Sequence, residues 1–310
     1  MALNFSDIPE VVIDYVRERF ATANDKATHT LETQPSMYEE TLDHILVMEL
    51  TASPPLFFAA ERIGISIESH WLGSRWMYGR WEIADIAFFI TLRQQGCLEA
   101  RKVALLQTKR LYSTEIDVTE LDEADYRIGI GRLADRIDPQ VPLSQQRWFS
   151  FDDRSVYGAM RAGHEQVQRI DAYMGERDLP VYYGLYNPPV LPFRAAYPEA
   201  PNAMKHPNEV GCRIIPASAV HAVLDTLPFG QNPSFIDLTL AAPLNHRDER
   251  SRHGWRLENF IADEVLRCRR GALFDQARDP NLQALLYGRS APIAAAISVT
   301  IDFGELAGGE

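Results

Sequence analysis

The chain has little cysteine and no long apolar run, and these absences exclude several classes of protein. Its 310 residues include three cysteines, Cys97, Cys212 and Cys268, which lie far apart and form no C-x-x-C pair. This number and spacing are typical of a reducing cytosol rather than of a disulfide framework or a zinc site. No stretch approaches 18 uninterrupted apolar residues, and the N-terminus has no basic segment. We therefore expect a cytoplasmic protein with neither a membrane helix nor a secretory signal.

Common nucleotide-binding and hydrolase motifs are also missing. The sequence contains no G-x-x-x-x-G-K-[ST], G-x-G-x-x-G, G-x-S-x-G or H-E-x-x-H segment. Without these motifs, nucleoside-triphosphate binding, dinucleotide binding, serine hydrolysis and zinc proteolysis have no support from the sequence.

Positive charge is in short supply. The chain has 31 Lys and Arg residues against 43 Asp and Glu residues, which gives a formal net charge of −12. Proteins that bind nucleic acids usually carry a basic surface, so this balance speaks against such a partner. Basic residues nevertheless cluster, for example at Arg247, Arg250 and Arg252, and local patches decide binding more than net charge does.

The chain alternates between helical and strand patterns, and 46% of its residues are hydrophobic, which is ample for a large core. We predict an α/β fold with a mixed sheet flanked by helices. The expected helices cover residues 6–21, 37–50, 57–62, 154–175, 217–224 and 255–268, and the expected strands beyond the central pair cover residues 179–187, 211–216, 235–240 and 291–303. The predicted organisation is a core over residues 1–190, a proline-rich loop over 191–210 and an accessory C-terminal region over 211–310, which could pack into the same domain.

The central pair of strands lies in residues 81–111, WEIADIAFFITLRQQGCLEARKVALLQTKRL. Side chains alternate along a strand, so Gln107 and Lys109 share a face with Val103 and Leu105. If the two strands form a hairpin, Asp85 lies beside the Gln107–Lys109 pair. A buried unpaired charge is costly, so an acid, an amide and an ammonium among apolar residues suggest a function.

These three residue types suit phosphodiester chemistry. A carboxylate and an amide oxygen can hold a hard divalent cation such as Mg²⁺ or Mn²⁺. The cation would polarise a phosphoryl group and acidify a water, while the ammonium of Lys109 would offset developing charge. The structural alternative is a half-buried strand whose Lys109 extends its charged end to water.

The segment resembles the core of the PD-(D/E)XK nuclease superfamily, in the variant with Gln at the middle acidic position. In that family an Asp lies in the first core strand, the second strand carries (D/E/Q)-x-K, and a preceding helix often adds a Glu. Asp85, Gln107 and Lys109 match these positions, and residues 38–50 match the helix, with Glu40, or less favourably Glu39, as its acid. Both glutamates could instead be ordinary first-turn acids favoured by the helix dipole. Gln166, on a later helix, matches a Gln that often faces the family's site, although a surface role is the simpler interpretation.

The resemblance implies a restriction-endonuclease-like core and a metal-dependent endonuclease that cuts DNA in bacterial restriction or anti-phage defence. It implies that Asp85, Gln107 and Glu40 ligate Mg²⁺ or Mn²⁺ and that Lys109 completes the catalytic set. A helicase or ATPase would be a suitable protein partner. The alternative is a non-catalytic subunit that binds nucleic acid or a partner on a nuclease-derived fold, which the acidic balance and Gln107 favour. The sequence does not indicate an oligomeric state.

Overall fold

A computed structural model of the chain describes residues 3–71, 83–113, 147–197, 204–241, 253–274, 279–287 and 293–304. In these ranges the helices are α1 (Glu10–Thr33), α2 (Glu39–Thr51), α3 (Glu165–Arg177), α4 (Ala217–Leu224), α5 (Phe235–Ala241), α6 (Leu257–Asn259, which continues as the π-helix Phe260–Val265) and α7 (Pro280–Tyr287), with a 3₁₀ turn at Phe5–Asp7. The strands are β1 (Leu56–Phe58), β2 (Ile63–Trp71), β3 (Ala84–Gln94), β4 (Cys97–Tyr112), β5 (Arg147–Phe151), β6 (Val156–Tyr157), β7 (Val181–Tyr186), β8 (Phe193–Tyr197), β9 (Arg213–Pro216), β10 (Trp255–Arg256), β11 (Ala272–Phe274) and β12 (Ile293–Phe303).

A large mixed sheet flanked by helices organises the molecule, as the sequence predicted. Its order is β1-β2-β12-β3-β4-β7-β9-β10, with β6 and β11 also paired to β4, and β5 and β8 form a separate two-stranded sheet. The C-terminal strand β12 lies between β2 and β3, antiparallel to the first and parallel to the second. Strands from residues 211–310 thus belong to the same sheet as those of residues 1–190.

The sheet separates two apolar cores. On one face, β3 and β4 direct Phe88 and Leu106 towards α1 and α2, whose apolar stripe includes Phe20 and Leu46. On the other face, Leu105 packs with side chains from α3, α4 and β7. Both faces of the central strands are covered, which explains why β3 and β4 read as nearly continuous apolar segments.

Several predicted elements differ from the observed ones. The helix expected at 57–62 is replaced by β1 after Pro54-Pro55, and the strand expected at 235–240 is the helix α5. A capping interaction that the sequence argument overlooked explains α5, because the backbone N–H and hydroxyl of Ser234 both donate to the carboxylate of Asp237.

Three helices have boundaries that differ from the predicted ones. The helix expected at 154–175 begins only at Glu165, because Gly163 has a φ of +73° and His164 then caps α3 by accepting from the Gln166 N–H. The first helix runs on to Thr33, well beyond the expected residue 21. The helix expected at 255–268 is shorter, since Trp255 and Arg256 pair with β9.

The segments predicted as loops, and the prediction that the chain has no membrane helix, can also be compared with the structure. The proline-rich segment 191–210 contains the strand β8, which pairs with β5, and most of the acidic segment 115–150 lies outside the described residues. Within the described ranges, no helix combines the length and apolar character needed to cross a membrane.

Candidate metal and phosphodiester site

The site lies where two central strands part. β3 and β4 pair antiparallel from the turn between them to Ile86 and Leu106. The ladder ends at Ile86, so it does not include Asp85, the preceding residue of β3. β4 continues in parallel contact with β7 through Arg110. The edge of β4 that faced β3 therefore opens from residue 107 onward, and we call this opening the fork.

Side chains take the place of the missing strand at the fork. The Thr108 N–H donates to Oδ2 of Asp85 at 2.6 Å, and the Arg110 N–H donates to Oε2 of Glu39 at 3.1 Å. The ammonium of Lys109 donates to the Thr108 carbonyl at 2.6 Å. Buried backbone N–H and C=O groups need hydrogen-bond partners. At this edge of β4, polar side chains supply the partners that a neighbouring strand would otherwise provide.

Asp85, Gln107 and Lys109, the three residues singled out in the sequence, all lie at the fork. Asp85 is half-buried, while Gln107 and Lys109 are 1% and 3% exposed. The side-chain amide of Gln107 donates through Nε2 to Oδ2 of Asp85. The amide nitrogen, rather than the oxygen expected to share a cation, therefore faces the carboxylate.

The helical acid at the fork is Glu39, whereas the sequence favoured Glu40. Oε1 of Glu39 accepts from the Lys109 ammonium at 3.0 Å. Glu40 is exposed, which is a departure from the expected placement. Adjacent helix residues point about 100° apart, so only one of the two can face β4.

Asp43 and Thr108 also belong to the site, although the sequence pattern did not single them out. Asp43 lies one helical turn after Glu39 and is 2% exposed, and its two carboxylate oxygens lie 2.8 Å from the hydroxyls of Thr108 and Tyr186. Oγ1 of Thr108 also lies 2.9 Å from Oδ2 of Asp85. A signal existed in the sequence, because Asp43 interrupts the apolar stripe of α2 at the i+4 position from Glu39. We call Glu39, Asp43, Asp85, Gln107, Thr108 and Lys109 the fork cluster.

Negative charge is in excess in the fork cluster. Burial raises the pKa of Asp43 well above its usual range, and the neighbouring Asp85 and Glu39 raise it further. Burial also raises the pKa of Glu39, although Lys109 opposes this. Burial disfavours the Lys109 ammonium, but Glu39, Asp85 and Asp43 outweigh it, and the pKa of Lys109 is raised. Glu39, Asp43 and Asp85 thus lie close to one ammonium, Lys109, with the guanidinium of Arg110 beside Glu39, and a cation would lessen the mutual repulsion of these acids.

The donors at the fork fit a hard divalent cation. Oε1 of Gln107 is buried and has no hydrogen-bond partner, and within the described ranges Oδ1 of Asp85 accepts no hydrogen bond. A carboxylate and an amide oxygen are ligand types that Mg²⁺ and Mn²⁺ accept, with water or a substrate phosphate filling the other positions. No metal-binding group of three or more His, Cys, Asp or Glu side chains occurs in the described part of the chain. A cation at the fork would therefore depend on the neutral Gln107.

Gln166, the remaining residue of interest, is the second residue of α3 and is half-buried. Its backbone N–H donates to the ring of His164. The basic residues Arg247, Arg250 and Arg252 lie outside the described ranges.

Comparisons with known proteins give no relative for the chain. It matches no protein-family model, no curated protein and no solved structure.

Proposed function

We propose that the chain hydrolyses phosphodiester bonds with a divalent metal, most favourably those of DNA. The observation that carries this proposal is the buried, unpartnered Oε1 of Gln107, a residue whose amide nitrogen contacts the Asp85 carboxylate. A buried polar atom without a partner is rare in folded proteins and calls for an explanation such as an ion. The excess of carboxylates at the fork supports a cation as that explanation.

The residues have separate roles in this proposal. Asp85 and Gln107 would hold Mg²⁺ or Mn²⁺, and Gln107 would turn its amide so that Oε1 rather than Nε2 faces the carboxylate. A cation held there would offset charge on the phosphate and make a nearby water more acidic. Lys109 donates to Glu39 and to the Thr108 carbonyl, so one of its three ammonium protons is left for the water or the phosphate. Glu39, rather than Glu40, would hold Lys109 in this position.

The order of elements also supports the proposal. The resemblance to PD-(D/E)XK nucleases implies a helix with an acid, a strand with an Asp, a strand with Gln-x-Lys, and then a helix and a strand. The chain presents α2, β3, β4, α3 and β7 in this order, and β7 is parallel to β4. We therefore also propose a restriction-endonuclease-like core, with a role in the bacterial cytoplasm in restriction or anti-phage defence. A helicase or ATPase could then deliver the acidic protein to DNA.

A second candidate is a subunit that binds nucleic acid or a protein without cutting. The contacts of Lys109 favour it, since its side chain is 3% exposed and its ammonium already donates to Glu39. The net charge of −12 favours it as well.

A cleavage assay separates the two. We expect the purified chain to cut linear or supercoiled DNA in Mg²⁺ or Mn²⁺, and to stop when EDTA is added. Asp85→Ala should abolish cleavage, while Asp225→Ala, which removes an exposed acid after α4, should cut like the wild type. Cleavage that survives Asp85→Ala would remove the proposed site, and DNA binding without cleavage under every metal would favour the second candidate.

A further inference from the structure

The hydroxyl of Thr108 bridges two carboxylate groups. Its Oγ1 lies 2.8 Å from Oδ2 of Asp43 and 2.9 Å from Oδ2 of Asp85. A hydroxyl has one proton, so it can donate to only one of these oxygens. The second contact is a hydrogen bond only if the other carboxyl group carries a proton and donates it to Oγ1.

The surroundings of the two acids decide which one carries the proton. Oδ2 of Asp85 already receives the Thr108 N–H and the Gln107 amide, and donors of this kind favour a charged carboxylate. Asp43 is 2% exposed and faces Asp85 and Glu39, which are both acids. Burial and these neighbours raise the pKa of Asp43 well above its usual range. The donors on Asp85 and the burial of Asp43 thus favour Asp43 over Asp85 as the member that carries the proton.

A directional chain of hydrogen bonds follows. The Tyr186 hydroxyl donates to Oδ1 of Asp43 at 2.8 Å. With the proton on Asp43, its Oδ2 would donate to the Thr108 hydroxyl, and this hydroxyl would donate to Oδ2 of Asp85. Three donors then converge on Oδ2 of Asp85. The two donors from Thr108 remain when the Gln107 amide turns, and Oδ1 is left as the oxygen for a cation.

We propose that Asp43 is a neutral positioning residue, which uses its proton to orient Asp85 through the hydroxyl of Thr108. The consequence for cation binding rests on the proposed function. The proton on Asp43 and the orientation of Asp85 do not, because they follow from the hydrogen bonds of Thr108 and from the burial of Asp43.

An asparagine imitates the protonated acid. In Asp43→Asn the amide nitrogen can donate to Thr108, and the amide oxygen can accept from Tyr186, so the chain of hydrogen bonds is kept. Asp43→Ala removes it. Thr108→Ser keeps the bridging hydroxyl, whereas Thr108→Val removes it with little change in shape. These two pairs test the chain at two positions, which matters if one variant fails to fold.

Infrared spectroscopy tests the proton directly. With ¹³C-labelled aspartate at neutral pH, we expect a protonated carboxyl C=O band in the wild type and its loss in Asp43→Asn. The absence of such a band in the wild type would overturn the proposal.

The NMR signal of the amide at residue 108 tests the orientation of Asp85, because this N–H donates to Asp85. Asp43→Asn and Thr108→Ser should leave its hydrogen-bonded shift in place, and Asp43→Ala and Thr108→Val should move it. Equal shifts in all four variants would contradict the proposed chain.

Calorimetry with Mn²⁺ tests the link to the proposed function. Loss of an orienting partner typically weakens metal binding by about 10- to 100-fold, so we expect a decrease in this range for Thr108→Val and Asp43→Ala. Asp43→Asn should retain most of the affinity, and an equally large loss in this variant would show that Asp43 acts as a charged group. If the wild type binds no Mn²⁺, the proposed function fails, and the infrared and NMR results still decide the proton and the orientation.

Discussion

The fork cluster and the cluster formed by Asp171, His221 and Tyr183 both place polar side chains at the central sheet, yet only the fork cluster leaves a buried side-chain atom without a partner. His221 is buried, with Nδ1 at 2.6 Å from Asp171 and Nε2 at 3.0 Å from the Tyr183 hydroxyl. Both ring nitrogens are thus bonded. Tyr183 stands opposite Gln107 in the register of β4 and β7, so the two clusters share a strand pair.

The two clusters differ in whether they still have a polar atom or a charge available for a further partner. At the fork, Oε1 of Gln107 has no partner, and the acids Glu39, Asp43 and Asp85 lie close together around Lys109. The His221 cluster joins α3, β7 and α4 through a closed set of contacts, which is what a structural anchor requires. Polar side chains in an apolar layer are therefore not sufficient evidence of a binding site. A buried oxygen without a partner and a group of neighbouring acids are stronger evidence of one.

Removal of Lys109 should have the largest effect. Lys109→Ala leaves the Glu39 carboxylate without its ammonium, and breaking such a buried pair typically costs about 3–5 kcal/mol of unfolding free energy. The raised pKa of Lys109 means that its contribution is fully present below the unfolded value of about 10.4 and is lost only as pH rises through the folded value. The full loss should therefore be measurable at neutral pH by denaturant unfolding.

The same variant should cut DNA at least about 100-fold more slowly, since single electrostatic groups typically contribute this much. Lys205→Ala, at an exposed lysine, is the control and should change neither quantity. Wild-type cleavage by Lys109→Ala would remove its catalytic role.

Substitution of Gln107 should change metal affinity. Gln107→Glu removes the N–H that donates to Asp85 and adds a like charge beside it, so the metal-free protein should melt at a lower temperature. A charged ligand should also tighten Mg²⁺ or Mn²⁺ binding, by about tenfold for each 1.4 kcal/mol gained. Gln107→Ala should bind more weakly than the wild type. Equal affinities of the three proteins in calorimetry would mean that Gln107 is not a ligand.

Two tyrosines of β7 provide a matched pair for the comparison. Tyr186 donates to Asp43 in the fork cluster, whereas Tyr183 contacts His221. Both Phe variants leave a buried polar group short of a partner and should cost about 1–3 kcal/mol of stability. Only Tyr186→Phe should weaken Mn²⁺ binding. A comparable loss of metal affinity in Tyr183→Phe would show that the His221 cluster belongs to the site.

The sequence could group Asp85, Gln107 and Lys109 because alternation along a strand fixes which side chains share a face. It could not locate the fork, which depends on where the ladder between β3 and β4 ends. It also gave no indication that β12, from the far end of the chain, lies beside β3. These features depend on long-range pairing, to which local patterns are insensitive.

The helical part of the site was less accessible to sequence reasoning. Helix boundaries read from sequence are uncertain by a residue or more, and each residue turns the helix by about 100°. A small error therefore exchanges Glu39 for Glu40. The acid Asp43, four residues after Glu39, was overlooked although its place among apolar residues resembles that of Asp85.

The smallest expected effect concerns this pair of neighbouring glutamates. Glu40 is exposed, so Glu40→Gln should change stability by no more than about 0.5 kcal/mol and leave metal affinity and cleavage unchanged. Glu39→Gln makes the same chemical change one residue earlier, but it removes the charge that faces the buried ammonium of Lys109. It should lower both stability and cleavage. Parallel measurement of unfolding and DNA cleavage in the two variants would decide between them, and a larger loss in Glu40→Gln would restore Glu40 as the functional acid of α2.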